Sequence, residues 1–283
     1  MTKPDMSDII FLCVTYLLKY GNANYIFGRI KMFQLNNFYD NNNMQCISQL
    51  GQYKVFEHQK DLSVSPYAAE TAYYAAEMNV KRRQVLVELN NTGCTVQAGA
   101  MQWMLGNVQM SSGVKGVGNF LGKAIGGAVT GESAVKPEYS GQGLLMLEPT
   151  YKHIILLDVA EGNGAVVLDD GLFLACDSTL QQKVVARSNV SSAVLGGEGL
   201  FNLSLRGEGI AVLESSVPQT ELIELELNDD VVKIDGNMAI AWSDSLQFTV
   251  EKAGKSLLGS AVSGEGFVNV YKGTGKILMA PTA

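Results

Sequence analysis

Gly196 to Glu214 reads GGEGLFNLSLRGEGIAVLE, and the chain writes that sentence three times. Gly131 to Pro149 reads GESAVKPEYSGQGLLMLEP, and Gly264 to Pro281 reads GEGFVNVYKGTGKILMAP. Each copy has a leading Gly-Glu, an alternating segment, a Gly-x-Gly and a short apolar strand. The Gly-x-Gly pairs are Gly141 and Gly143, Gly207 and Gly209, and Gly273 and Gly275; each pair begins 66 residues after the one before. A fixed internal period means that one supersecondary unit is reused, and units of that size bury too little alone, so they must share a core.

The repeat extends outward from this motif. DGLFLACDSTL (Asp170 to Leu180) corresponds to DGNMAIAWSDSL (Asp235 to Leu246), which sets Cys176 against Trp242. AGAMQWMLGNV (Ala98 to Val108) fills the same slot in the first cycle and is expected to place Trp103 there. Between the hairpin glycine and the Gly-Glu motif the first cycle is about five residues longer. The surplus falls in GVKGVGNFLGKAIGGAV, Gly113 to Val129.

Short segments rich in Val, Ile, Leu, Phe and Tyr fill most of the chain from Gln45 onward. They include QVLVEL (84–89), TVQAGAMQWM (95–104), HIILLDV (153–159), AVVLDDGLFLAC (165–176), LIELEL (222–227), VVKIDG (231–236) and LQFTVE (246–251). Gly, Asn and Asp turns separate them at the spacing of sandwiches and barrels. Asp170-Gly171 and Asp235-Gly236 read as hairpin turns, since Asp-Gly accepts positive φ. Only Ala68 to Val80 reads as a helix, on its Ala, Glu and Met content.

Residues 1–31 fall outside this scheme. Ile9 to Leu18 is apolar but only ten residues long, half of what a membrane span needs. The preceding residues lack the positive region of a signal peptide. They are expected to be a loosely packed, disordered extension ahead of one domain, 32–283. Its repeats are set at about 45–149, 150–215 and 216–281.

The chain has 283 residues, 47% of them apolar, and a formal charge of −7. The acidic balance argues against binding driven by nucleic-acid phosphates. The one dense basic cluster, Lys81-Arg82-Arg83, reads as a solvated loop before a strand. The cysteines, 13, 46, 94 and 176, form no CxxC or zinc spacing, which suits packed, reduced thiols in a cytoplasmic protein.

QAGAMQWMLGNV, SGVKGVGNFLGKAIGGAVTGES, PTYKHIILLDV, LDDGLFLACDS, GGEGLFNLSLRGEG, DGNMAIAWSDSL and SGEGFVNVYKGTGKILMAP resemble the altered-inheritance-of-mitochondria 24 family. The resemblance runs from about Met32 to Pro281. It implies an all-β fold of three tandem β-sandwich units, short and double-stranded β-helix-like. These would resemble the tryptophan RNA-binding attenuation protein and pack around a pseudo-threefold axis. Fungal members act in organisation of the mitochondrial inner membrane. The resemblance supplies no catalytic residues.

The residues themselves point the same way. His58 and His153 are the only histidines, which leaves a His-based triad or three-His metal site without material. His153 sits in a β run and reads as a packed residue. Cys176 shares its slot with Trp242, so it reads as packing rather than as a nucleophile. The Gly-x-Gly pairs precede strands, whereas a phosphate loop opens a helix. The pairs Asp169-Asp170 and Asp229-Asp230 read as turn chemistry. No catalytic residue, metal or cofactor is expected. The reading is an oligomeric scaffold, a homo-oligomer such as a trimer, at the membrane periphery or with protein partners. The alternative, by fold analogy, is a small-ligand or RNA-binding protein. The candidate contact segment is Gly113 to Val129. There Val117, Phe120, Leu121, Ile125 and Val129 supply apolar anchors beside Lys115 and Lys123.

Overall fold

A computed structural model describes residues 33–111, 136–161, 164–186, 201–252 and 267–281. The chain divides into two compact units, residues 1–45 and 46–283. The extension 1–31 and the candidate segment Gly113 to Val129 lie outside the described residues. In the first unit, residues 33–45 include Asn-rich turns. Asn41 accepts from the Asn43 amide on its side chain (2.9 Å) and from the Met44 amide on its carbonyl (3.0 Å).

Among its described residues the second unit is all-β but for one α-helix. Among the described residues the strands are β1 (Met44–Leu50, crossing the unit boundary), β2 (Tyr53–His58), β3 (Arg83–Val96), β4 (Met101–Ser111), β5 (Glu138–Leu147), β6 (His153–Asp158), β7 (Ala165–Leu168) and β8 (Phe173–Asp177). They continue as β9 (Gln181–Ala186), β10 (Phe201–Arg206), β11 (Ile210–Ser215), β12 (Ile223–Asp235), β13 (Ala239–Ser243), β14 (Gln247–Lys252) and β15 (Phe267–Met279). An eight-stranded sheet runs β1-β2-β3-β8-β11-β6, with β5 on β3 and β4 on β5. A seven-stranded sheet runs β12-β15-β13-β7-β10-β9, with β14 on β15.

Period-two alternation puts Val85, Val87 and Leu89 of β3 on one face, in a core with Tyr53, Val55, Leu145 and Leu147. A second core joins the two sheets: Ile155, Phe173 and Leu213 come from one, Leu168, Leu205 and Ala241 from the other. A third lies on the seven-stranded sheet, where Trp242 packs edge-on to Tyr271 with ring centroids 5.2 Å apart.

The expected helix is α1 (Ala69–Glu77), entered through a 3-10 turn at Pro66–Ala68. None of its residues is buried, so local propensity rather than core packing explains it. It stops where Asn79 takes φ +63°, a conformation Asn tolerates at a helix end.

Three expectations change. Asp170-Gly171 and Asp235-Gly236 do make positive-φ turns (Gly171 +77°, Gly236 +56°), but not hairpins. β7 and β8 lie in different sheets, and β15 lies between β12 and β13. A turn motif fixes local chain reversal, whereas strand partners are chosen by the core. The segment 95–104 is also not one strand, because Gly99 (φ +83°) breaks it between β3 and β4. Finally, strand register puts Met104, opposite Leu145, where Cys176 faces Ala211 and Trp242 faces Ile277. Trp103 sits one residue earlier. All three strand pairs slip register at the same point, so Trp103 aligns with Ala175 and Ala241: it follows its turn glycine, Gly99, by one residue fewer than Cys176 follows Gly171.

Candidate functional site

Two matching sets of engaged polar side chains lie where strands from neighbouring parts of the chain join. At the first seam β3 pairs with β8: Cys94 faces Asp177, Thr95 faces Cys176, and Val96 faces Ala175. The Gln97 amide extends the seam by donating to the Leu174 carbonyl at 2.7 Å. A cleft of about 780 Å³ opens beside it, lined by Gln52, Thr92, Ser178, Thr179 and Ile210 among others. Gln52 bridges it. Its Nε2 donates to Asp177 Oδ1 (2.6 Å) and the Gly93 carbonyl (3.1 Å), and its Oε1 accepts from Thr92 Oγ1 (2.5 Å). Asp177 Oδ2 accepts from the Ile210 amide at 2.8 Å. Each of these groups satisfies a strand end or a neighbour, which is the work of an architectural joint.

The second seam repeats the first. β7 pairs with β13: Val166 faces Ser243, Val167 faces Trp242, and Leu168 faces Ala241. The Asp169 amide donates to the Ile240 carbonyl at 2.9 Å. Ser243 Oγ accepts from the Lys276 amide (2.9 Å), as Asp177 does from Ile210. Ser245 Oγ donates to the Thr274 carbonyl, and Thr179 Oγ1 donates to that of Glu208, both at 2.8 Å. Amides of Glu148, Glu214 and Ala280 donate to carbonyls of Ala100, Leu172 and Met238 at 2.7, 2.8 and 2.7 Å.

The glycines singled out in the sequence lie at matching bends. Gly141, Gly207 and Gly273 have φ of +128°, +121° and +126°. Gly141 and Gly273 each face a register slip, beside Asn91 (φ +56°) and Asp229 (φ +50°). A Cβ on Gly141 would sit 2.2 Å from the Asn107 carbonyl oxygen, and one on Gly143 would sit 2.1 Å from that of Leu105. Gly209 (φ +154°) and Gly275 lie against Thr179 and Ser243 in the same two seams.

The thiols and histidines match packing roles. Cys94 and Cys176 are buried; burial pushes the Cys94 thiol up to about 12 and the Cys176 thiol up as well, with Asp177 adding to both. A nucleophilic cysteine needs the opposite shift. His153 starts β6 half-buried, where burial and then the Arg83 charge lower its pKa. His58 Nε2 lies 2.9 Å from Gln84 Oε1. Among the described residues no group of three His, Cys, Asp or Glu could hold a metal ion.

The basic cluster is not a solvated loop. Arg83 is only 2% exposed, and its Nη2 and Nε donate to Glu57 Oε2 at 2.7 and 3.0 Å. Lys81 reaches Glu57 Oε1 at 3.3 Å, and Arg82 pairs with Asp61. Asp61 also accepts from Tyr151 Oη at 2.7 Å. Carboxylates 21 to 26 residues away in sequence neutralise the run, which its local composition cannot reveal. A groove of about 290 Å³ separates this network from α1.

The structure adds a feature the motif reading passed over. β4 pairs with β5 on one side, and no described strand pairs with its other side. Met101, Met104 and Met110 are exposed along it. The signal was available: Leu89 to Val114 contains no charged residue.

Residues 74–282 match the family described as Mitochondrial biogenesis AIM24. The chain belongs to that family. Among AIM24 relatives, an uncharacterised protein of Streptococcus pyogenes serotype M6 is 31% identical over 202 residues, covering 68% of this chain and 79% of that one. A crystal structure of a Streptococcus pyogenes protein is 28% identical, with a TM-score of 0.52, covering 72% of this chain and 89% of that one. Among the described residues no helix is long and apolar enough to cross a membrane.

Proposed function

We propose that this AIM24-family protein is a non-enzymatic scaffold that associates with itself and presents its surface to protein or membrane partners. The observation that carries the reading is β4, an eleven-residue strand without charge that has no described strand on its outer edge and carries three exposed methionines. Long apolar edges are normally blunted by charge, Pro or a covering element, because they recruit other strands. The seam side chains support it too: Gln52, Asp177, Thr179, Ser243 and Ser245 are all engaged with neighbouring strands.

The same reading takes the chain as three tandem β units joined in series, the first to the second through β3 and β8 and the second to the third through β7 and β13. Its support is the recurrence of side-chain bonds, bends and register slips at the 66-residue period of the sequence, with cores that cross the seams: Leu174 and Val212 enter the first, Ala241 the second and Val167 the third. The working location is the cytoplasm and the membrane periphery. A second reading, a small polar ligand in the first-seam cleft, is favoured by the cleft's volume and hydroxyl lining. Glu138 and Asp177 in that lining disfavour RNA phosphates.

Light scattering across micromolar concentrations tests self-association. A defined species larger than the 30.5 kDa monomer is expected, and a monomer throughout refutes it. Fractionation and liposome co-sedimentation of the same sample test the membrane part.

A further inference from the structure

We infer that the outer edge of β4 takes the outer edge of β12 from a second copy of this chain, in the register of the two internal seams. The inference rests on the self-association just proposed and names its contact surface.

The two formed seams supply a rule. In each, the strand following a positive-φ glycine turn (β8 after Gly171, β13 after Gly236) receives the end of the strand that precedes the previous such turn. That donor is β3 for β8 and β7 for β13. β4, after Gly99, is the same kind of acceptor, and the end of β12, before Gly236, is the same kind of donor. Within one chain β4 pairs only with β5, and β12 only with β15, among the described strands. Among the described strands, one acceptor and one donor of the same type are therefore left over.

Burial marks the vacancy on the acceptor. Counterparts set by strand register are Met101, Phe173 and Ala239, then Met104, Cys176 and Trp242. Phe173 and Ala239 are each 3% exposed, whereas Met101 is 37% exposed; Cys176 and Trp242 are 0% and 4%, whereas Met104 is 45%. Val231 is exposed on the donor side. Apolar side chains buried at two formed seams thus stay in solvent at the third.

The rule fixes the register. Leu168 faces Ala241 and Val96 faces Ala175, so Ile234 of the second copy faces Trp103, Lys233 faces Met104, and Val232 faces Leu105. The Gln97 and Asp169 amides bond the carbonyls of Leu174 and Ile240. By alternation, Val96–Ala175 and Cys94–Asp177 are then non-hydrogen-bonded pairs, and so is Val232–Leu105. Such pairs hold Cα atoms about 4.5 Å apart, within disulfide reach. Because the donor edge belongs to one sheet and the acceptor edge to the other, the contact is heterologous, head to tail.

The test uses the full chain with Cys13 and Cys46 changed to Ser, so that the exposed native thiol does not compete. Leu105→Cys and Val232→Cys chains are made separately and mixed under mild oxidation. A disulfide-linked dimer is expected from the mixture and from neither variant alone. Cross-linking by Leu105→Cys alone means that β4 pairs with itself and overturns the inference. So does a Leu105→Cys/Val232→Cys chain that links only within itself at nanomolar dilution, since the seam then closes inside one molecule. An oligomer without any of these cross-links overturns the inference and leaves the scaffold reading standing; a monomer overturns both. A second pair of variants guards against misfolded cysteine chains. Met104→Lys should weaken association at least tenfold by facing Lys233, and adding Lys233→Glu should recover most of it. Equal loss in both variants, at unchanged melting temperature, counts against the register.

Discussion

Removing the Glu57 carboxylate should be the most damaging small change in the β2–β3 region. Arg83 is almost wholly buried, and Glu57 Oε2 receives two of its N–H groups at 2.7 and 3.0 Å. Arg83 Nη2 also donates to the Asn79 side chain (2.8 Å) and carbonyl (3.1 Å), which carry no charge. Glu57→Ala therefore strands a guanidinium away from water, at a cost of about 3–5 kcal/mol. Lys81 adds a second cation near the gap. For a chain of this size each kcal/mol lowers the melting temperature by about 2 °C, so a drop of roughly 6–10 °C is expected. Glu57→Leu combined with Arg83→Met keeps the volume without the charges and should recover to within about 1.5 kcal/mol of the parent. Urea titration with both single variants and the double variant measures this. If Glu57→Ala costs under about 1 kcal/mol, or the double variant is as weak as the single, the pair is not the buried charge couple described here.

Gly141→Ala should destabilise more than Gly273→Ala. Both residues have left-handed φ, worth about 1–3 kcal/mol of strain, but only Gly141 would drive a Cβ to 2.2 Å from a backbone oxygen, against 3.7 Å at Gly273; equal urea midpoints would refute the close approach. With Cys13 replaced by Ser, a thiol reagent should modify exposed Cys46 quickly and Cys94 and Cys176 only after denaturation; three fast thiols in the native protein would contradict the packing. Folded Cys94 keeps its proton to about 12 against 9.0 for a free thiol, so above pH 9 the unfolded chain holds fewer protons and stability falls as pH rises. The expected slope from this group is about 1.4 kcal/mol per pH unit up to pH 12, and Cys94→Ala should remove that share while the part from Cys176, whose thiol burial also pushes up, remains; an unchanged slope would remove Cys94 as a cause.

The all-β class, the helix within Ala68 to Val80 and the positions of the bends were readable from the residues. Each depends on local rules: period-two alternation, helix propensity, and glycine where φ turns positive. The 66-residue spacing needed only comparison of the chain with itself. Partners were not readable. Asp170-Gly171 declares a turn, yet whether β7 then meets β8 or β13 is decided by which apolar faces can close a core, a contact between distant segments. Lys81 to Arg83 looked solvated because Glu57 and Asp61 neutralise it from across a strand pair. Trp103 missed its expected slot because matching tryptophan to tryptophan overrode the distance from the turn glycine, which strand register follows: Met104, not Trp103, stands where Cys176 does. The charge-free run from Leu89 to Val114 stood in the sequence throughout. Only the tertiary structure made part of it an open edge, because an edge is defined by the neighbour a strand does not have.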